Sequence, residues 1–142
     1  MSWLWYAIAS AAMAALVSIF GKIGLNQVDA NTATTIRAAI MMLFLFGVLA
    51  LQGKLTMIGE VLANKKAMLF IVLSGVAGAL SWLFYFLAIQ KGDVSKVAPI
   101  DKFSVVLAVG FALLFLGEKL SFWGAVGVGL IAVGVMITAF AA

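Results

Sequence analysis

Five apolar runs, separated by short polar connections, set out the whole chain. They cover about residues 3–20, 32–52, 67–90, 95–116 and 122–140. Each is close to the ~20 residues that an α-helix needs to cross the hydrocarbon of a bilayer. The pattern predicts an all-α integral membrane protein with five transmembrane helices, formed by residues 1–142 as a single transmembrane domain. Trp3, Trp5 and Tyr6 at the entry of the first run read as an interfacial aromatic anchor. The amino end has no basic segment, and its apolar stretch continues as a full span. It is therefore expected to be the first helix of the mature protein, not a signal peptide. Ala7, Ala11 and Ala15 recur every fourth residue, with Ser18 close by, and would let another helix approach closely. In the connection 53–66, Leu55, Ile58 and Leu62 share one helical face, which predicts a short interfacial helix. Gly124, Gly127, Gly129 and Gly134 in the fifth run read as a helix–helix interface, either within a subunit or between two.

Composition narrows the chemistry. Of the 142 residues, 66% are hydrophobic and only 10% charged, more apolar surface than a soluble domain of this size could bury. Cysteine and histidine are both absent, so no disulfide, thiolate metal site, usual zinc site or His-based acid–base chemistry is expected, and no cofactor is implied. The net charge of +4 is spread over short connections, which suggests topology and lipid headgroup contact, not nucleic acid. Five spans put the two ends of the chain on opposite sides of the membrane. Lys54, Lys65, Lys66 and Lys119 then fall on the amino-terminal side, and Lys22, Arg37, Lys91 and Lys96 on the other. With Lys102 too deep to count, four basic residues against four give almost no orienting bias, as a dual-topology protein would need.

The stretch GDVSKVAPIDKFS, residues 92–104, interrupts the fourth run soon after it begins. Each Asp or Lys near the centre of a membrane helix costs about 2.5–3.5 kcal/mol, so a chain that keeps Asp101 and Lys102 there is expected to use them. Asp101 lies roughly 9–11 Å in from the turn at residues 91–93, and Trp82 and Tyr85 about 8–12 Å in from the same turn on the third helix. Ser81 and Trp82 each share a helical face with Tyr85, and Asp101 shares one with Ser104. Lys102 points about 100° away from Asp101 on a regular helix, so the two need not pair. Pro99 removes a backbone donor and marks a bend. Lys22 and Arg37 enter from the same side. These residues either converge on a polar, aromatic-lined site in one half of the bilayer, or hold helices together by packing and fixed ion pairs.

At this point the residues resemble a known family. GDVSKVAPIDKFSVVLAVGFALLFLGEKLSFWGAVGVGLIAVGVMI is similar to the end of an EamA domain of the drug/metabolite transporter superfamily. SIFGKIGLNQVD, TTIRAA and GALSWLFYFLAIQKGD fit the earlier segments in the same order. Larger members look like two such five-helix units in one chain, related as inverted repeats. The resemblance therefore implies that this chain is a single repeat, completed as an antiparallel homodimer of ten helices in the cell inner membrane. It implies a secondary transporter, exporting a small metabolite or amphiphilic compound by alternating access, and not an enzyme. In that reading Ser81, Trp82, Tyr85 and Ser104 line the cavity. Arg37 and Lys22 favour a carboxylate or phosphate, and Asp101, beside Lys102, an amine or a coupling proton. The related small multidrug exporters carry an acid in the first helix; this chain has none there, which leaves Asp101 as the deep carboxylate. Two other classes fit the same features: a dual-topology anion channel and a non-transporting membrane assembly subunit.

Overall fold

The computed structural model describes residues 2–141, and the side chains of residues 3–141. The described chain is helical: α1 (Ser2–Gly24), α2 (Ala30–Leu51), α3 (Met57–Ala63), α4 (Lys65–Lys91), α5 (Val94–Asp101), α6 (Phe103–Phe115) and α7 (Phe122–Phe140). Five stretches are long and apolar enough to cross a membrane: α1, α2, α4, α5 with α6, and α7. α3 occupies the connection whose apolar spacing predicts a short helix.

Local chemistry sets several helix ends. Asp29 caps α2: its carboxylate accepts from the Thr32 backbone N–H at 2.8 Å and from the Thr32 hydroxyl at 2.9 Å. These bonds, the backbone one foremost, hold the Asp29 carboxyl below its ordinary value of 3.8. The other end of α2 closes on Gly53 at φ 67°, with Gly53 N–H bonded to the Ala50 carbonyl and Lys54 N–H to the Leu49 carbonyl. That paired arrangement needs a left-handed residue just past the helix, which glycine supplies without a Cβ penalty. Gly117, at φ 65°, supplies the left-handed residue after α6, where the Glu118 N–H bonds to the Ala112 carbonyl at 3.3 Å. Ser121 caps α7 through the Gly124 N–H at 3.1 Å. The α4 helix spans 27 residues, about 40 Å, more than the ~30 Å hydrocarbon thickness.

The chain divides into two compact units. In one, made of the residues up to Phe20 and from Lys91 onward, α7 packs against α5 and α6. Its fourth span differs from the single helix expected. It is broken at Lys102, three residues past Pro99, where Lys102 N–H bonds to the Pro99 carbonyl and Val105 N–H to the Lys102 carbonyl. These are three-residue turns, tighter than an α-helix. Asp101 ends α5 and Ser104 lies in the first turn of α6, so the two flank this turn instead of sharing an uninterrupted helical face.

The other unit, Gly21–Gln90, contains the end of α1, then α2, α3 and nearly all of α4. It carries Leu25, Ala30, Tyr85, Phe86 and Ile89, five of the six buried hydrophobic residues among those described; the sixth is Val135 of α7. Two long-range side-chain bonds fasten the α1–α2 connection to the end of α4. Lys22 Nζ donates to the Ile89 carbonyl at 2.6 Å, and Gln90 Nε2 to the Val28 carbonyl at 2.8 Å. Ile89 is among the last four residues of α4, whose carbonyls lack helical partners, so the lysine satisfies an orphan acceptor at the negative end of the helix dipole. Most large apolar side chains elsewhere face outward, the arrangement expected where lipid is the solvent.

Candidate functional site

The Gly21–Gln90 unit brings Arg37 of α2 onto the aromatic face of α4. Arg37 lies seven residues into α2, about 10 Å from its start, and Trp82 nine residues before the end of α4, about 14 Å. The α1–α2 connection is bonded to the end of α4, so these depths are counted from one side. The Arg37 guanidinium carbon sits 3.8 Å from the Trp82 ring centroid and 4.7 Å from that of Phe86. Such cation–π contacts contribute about 0.5–2 kcal/mol, more as they lose water. The rings support one another: Trp82 and Phe86 stack at 5.7 Å and 28°, and Tyr85 meets Trp82 edge-on at 5.8 Å and 88°.

The contacts leave Arg37 unfinished as a hydrogen-bonding group. Its Nε is shielded from solvent and has no hydrogen-bond partner. The one ion pair described among the residues is Lys102 to Asp101, which does not involve it. A guanidinium presents five N–H donors and cannot be neutralised by losing a proton at ordinary pH. Held in this way at membrane depth, it is a cation without a counter-ion in its own unit.

Arg37 and Trp82 lie on the wall of a cavity of about 610 Å³ between α2 and α4. Its lining is mostly apolar, including Met41, Met42 and Leu83. Gly75 and Gly78 widen the α4 side, and a Cβ at either position would meet nothing within 4 Å. The Thr34 and Thr35 hydroxyls at the rim donate to the Ala30 and Asn31 carbonyls of their own helix, at 2.7 and 2.9 Å. Their protons are committed, which leaves the Arg37 guanidinium and the Trp82 indole N–H as the side-chain donors of the lining, the guanidinium being the charged one. The volume falls within the range of small-molecule sites, about 300–1,000 Å³.

The candidates named from the sequence fall into distinct places. Arg37 and Trp82 meet and line the cavity. Tyr85 is buried against Trp82 and Phe86, outside the lining, and Ser81 is exposed. Lys22 is bonded to the Ile89 carbonyl. In the other unit, Asp101 pairs with its neighbour Lys102 at 3.1 Å, a pairing that regular helix geometry leaves open. The break at Lys102 removes the fixed 100° step between them, and the long lysine stem covers the remaining angle. Pro99 lies in the last turn of α5. At Gly127, Gly129 and Gly134 a Cβ would meet nothing within 4 Å, whereas at Gly124 it would press on Leu120 and Ser121.

Sequence reasoning missed Phe86 and Gly21. Phe86 is one turn beyond Trp82 and therefore on the same helical face, a signal that was available. Gly21, in the last turn of α1, abuts the edge of the Phe86 ring, and nothing local announces that contact.

A family model described as the EamA-like transporter family matches residues 1–140. The chain is 40% identical over 138 residues to a Sinorhizobium protein described as an uncharacterized transporter in the cobO 3' region. That match covers 97% of this chain and 96% of the relative. An uncharacterized protein of Methanocaldococcus jannaschii is 26% identical over 77 residues, 54% of this chain and 56% of its own length. No solved structure matches.

Proposed function

The chain belongs to the EamA-like transporter family, and from that premise we propose that it is an inner-membrane exporter of small metabolites or amphiphilic compounds, working by alternating access as an antiparallel homodimer. At the coarser level it is a multi-pass membrane transporter of the drug/metabolite type. The observation that carries the finer reading is the cavity between α2 and α4, with the Arg37–Trp82 pair on its wall about 10 Å inside a span. A substrate site near the middle of the membrane is what an alternating-access carrier requires. Two observations support a second copy. Eight of the nine basic residues divide four to each side, with Lys102 too deep to count, and at Gly127, Gly129 and Gly134 a Cβ would meet nothing within 4 Å in their own unit. Asp101 serves in this reading as the coupling carboxylate, with Lys102 as its resting partner.

The test is flux through purified protein in liposomes. A carrier exchanges labelled substrate for unlabelled substrate across the membrane and moves it uphill when a gradient is imposed. A channel passes ions at high rate with no counter-substrate, and that result would replace the carrier reading. Cysteines introduced into the connection 53–66 report orientation in intact cells: labelling from both faces is expected, and labelling from one face alone would exclude dual topology.

A further inference from the structure

We infer that the α2–α4 cavity is an anion-selective subsite, in which Arg37, braced on Trp82 and Phe86, takes the carboxylate or phosphate of an amphiphilic organic anion whose apolar body fills the rest. The inference rests on the transporter reading and adds the class of substrate. Three features lead to it. First, the Arg37 guanidinium has no counter-ion in its own unit, and its Nε is shielded without a partner. A cation at membrane depth is costly until something neutralises it, and here that has to come from outside the unit. Second, the remaining lining is apolar, and the two threonine hydroxyls have spent their protons on their own helix. A ligand therefore meets one charged donor group, with the Trp82 indole N–H beside it, and a mostly apolar wall, which suits a single anionic head on a hydrocarbon or aromatic body. Third, the face of Trp82 already holds the guanidinium at 3.8 Å. That face is not available to an ammonium ligand, which would also be repelled by Arg37. The site thus discriminates against cations, although an aromatic box of this kind would attract them if Arg37 were absent.

The rings also fix geometry. The Trp82 ring holds the guanidinium carbon at 3.8 Å, and the planar guanidinium offers a rigid fork of N–H donors from which a carboxylate can accept two at once. Lysine at the same place would keep the charge and lose both the stacking and the fork. Arg37→Lys is therefore expected to be a poor substitute.

The same anionic chemistry occurs in a soluble carboxylate and in a phospholipid headgroup, and the experiment separates them. Purified protein in uncharged maltoside detergent is titrated calorimetrically with 4-phenylbutyrate, 4-phenylbutanol and 4-phenylbutylammonium, which share one apolar body. Dioctanoyl-phosphatidylglycerol and dioctanoyl-phosphatidylcholine form the lipid arm. The carboxylate is expected to bind at least tenfold more tightly than the alcohol or the ammonium. Arg37→Gln should erase that difference, and Arg37→Lys should restore little of it. Gly78→Leu fills the cavity from α4 and leaves the guanidinium intact; it should weaken carboxylate binding at least tenfold with the melting temperature preserved. Equal binding of the three heads would overturn the inference, as would unchanged selectivity in Arg37→Gln or full binding in Gly78→Leu. Arg37-dependent binding of phosphatidylglycerol without any of the carboxylate would uphold the anion subsite and assign its ligand to the lipid headgroup. Selective binding without flux would uphold the subsite and sink the transporter reading, and flux without selective binding would do the reverse.

Discussion

Replacing Gly21 by alanine should disturb the site from the side of the protein opposite the ligand. At Gly21 an added Cβ would stand 3.2 and 3.3 Å from Cζ and Cδ1 of Phe86 and would overlap Cε1. Ordinary carbon–carbon contact is about 3.5–4.0 Å, so the ring has to retreat by on the order of 1 Å. Phe86 has little freedom to do so. It is 3% exposed, stacked on Trp82, edge-on to Tyr85 and covered by Arg37. Overpacking of this kind costs about 1–3 kcal/mol. Part of the loss should appear as weaker anion binding, because Phe86 is one of the two rings beneath the guanidinium. Reversible unfolding in mixed micelles measures the stability, and the double-mutant cycle with Phe86→Leu isolates the contact. Leucine removes the ring edge, so Gly21→Ala should cost at least ~1 kcal/mol less in the Phe86→Leu background than in the wild type. If Gly21→Ala stays within ~0.5 kcal/mol of wild type, as a surface substitution would, the Gly21–Phe86 contact does not constrain the site.

Asp101→Asn is expected to retain substrate exchange and to lose pH-driven accumulation in liposomes; accumulation at the wild-type level would make Asp101 a structural partner of Lys102. Gly127→Leu and Gly134→Leu have room within their own unit, so each should leave the spans folded while shifting purified protein from dimer to monomer; unchanged dimer mass would move the interface away from this face of α7. The cap of α2 should respond to acid. Because hydrogen bonds hold the folded Asp29 carboxyl below 3.8, its contribution is complete above that pH and fades as the pH falls through the lower folded value. Hydrogen-exchange protection of the Thr32 amide should therefore persist from neutral pH down to the carboxylate range and then drop, and Asp29→Asn should flatten the response. A loss of protection already at pH 6 would assign the effect to another group.

The elements of this protein were legible in its sequence because hydrophobicity is a property each residue carries alone. With lipid as solvent, an apolar run of sufficient length is a span, whatever its neighbours do. The five spans follow from that rule, with helix ends shifted by a few residues; α3 follows from the shared face of Leu55, Ile58 and Leu62, and a bend from Pro99, whereas the full break at Lys102 goes beyond what they predict. Asp29, Gly53, Gly117 and Ser121 act where they stand, through their own side chains or backbone angles. The partners of each face had to come from the tertiary structure. A helix apolar all round has no polar face to mark its rotation, so the periodicity that identifies a buried stripe in a soluble protein is faint here. Lys22 and Arg37 looked equivalent as cations entering from one side. Packing gave Lys22 the Ile89 carbonyl and left Arg37 on two aromatic rings without a counter-ion. Phe86 shares the Trp82 face of its helix but carries no sign of what meets it there, and Gly21 could not stand out among so many glycines. Only the approach of α1 to α4 makes one the floor of the site and the other the space that the floor requires, because van der Waals contact depends on shape across helices and not on composition along them.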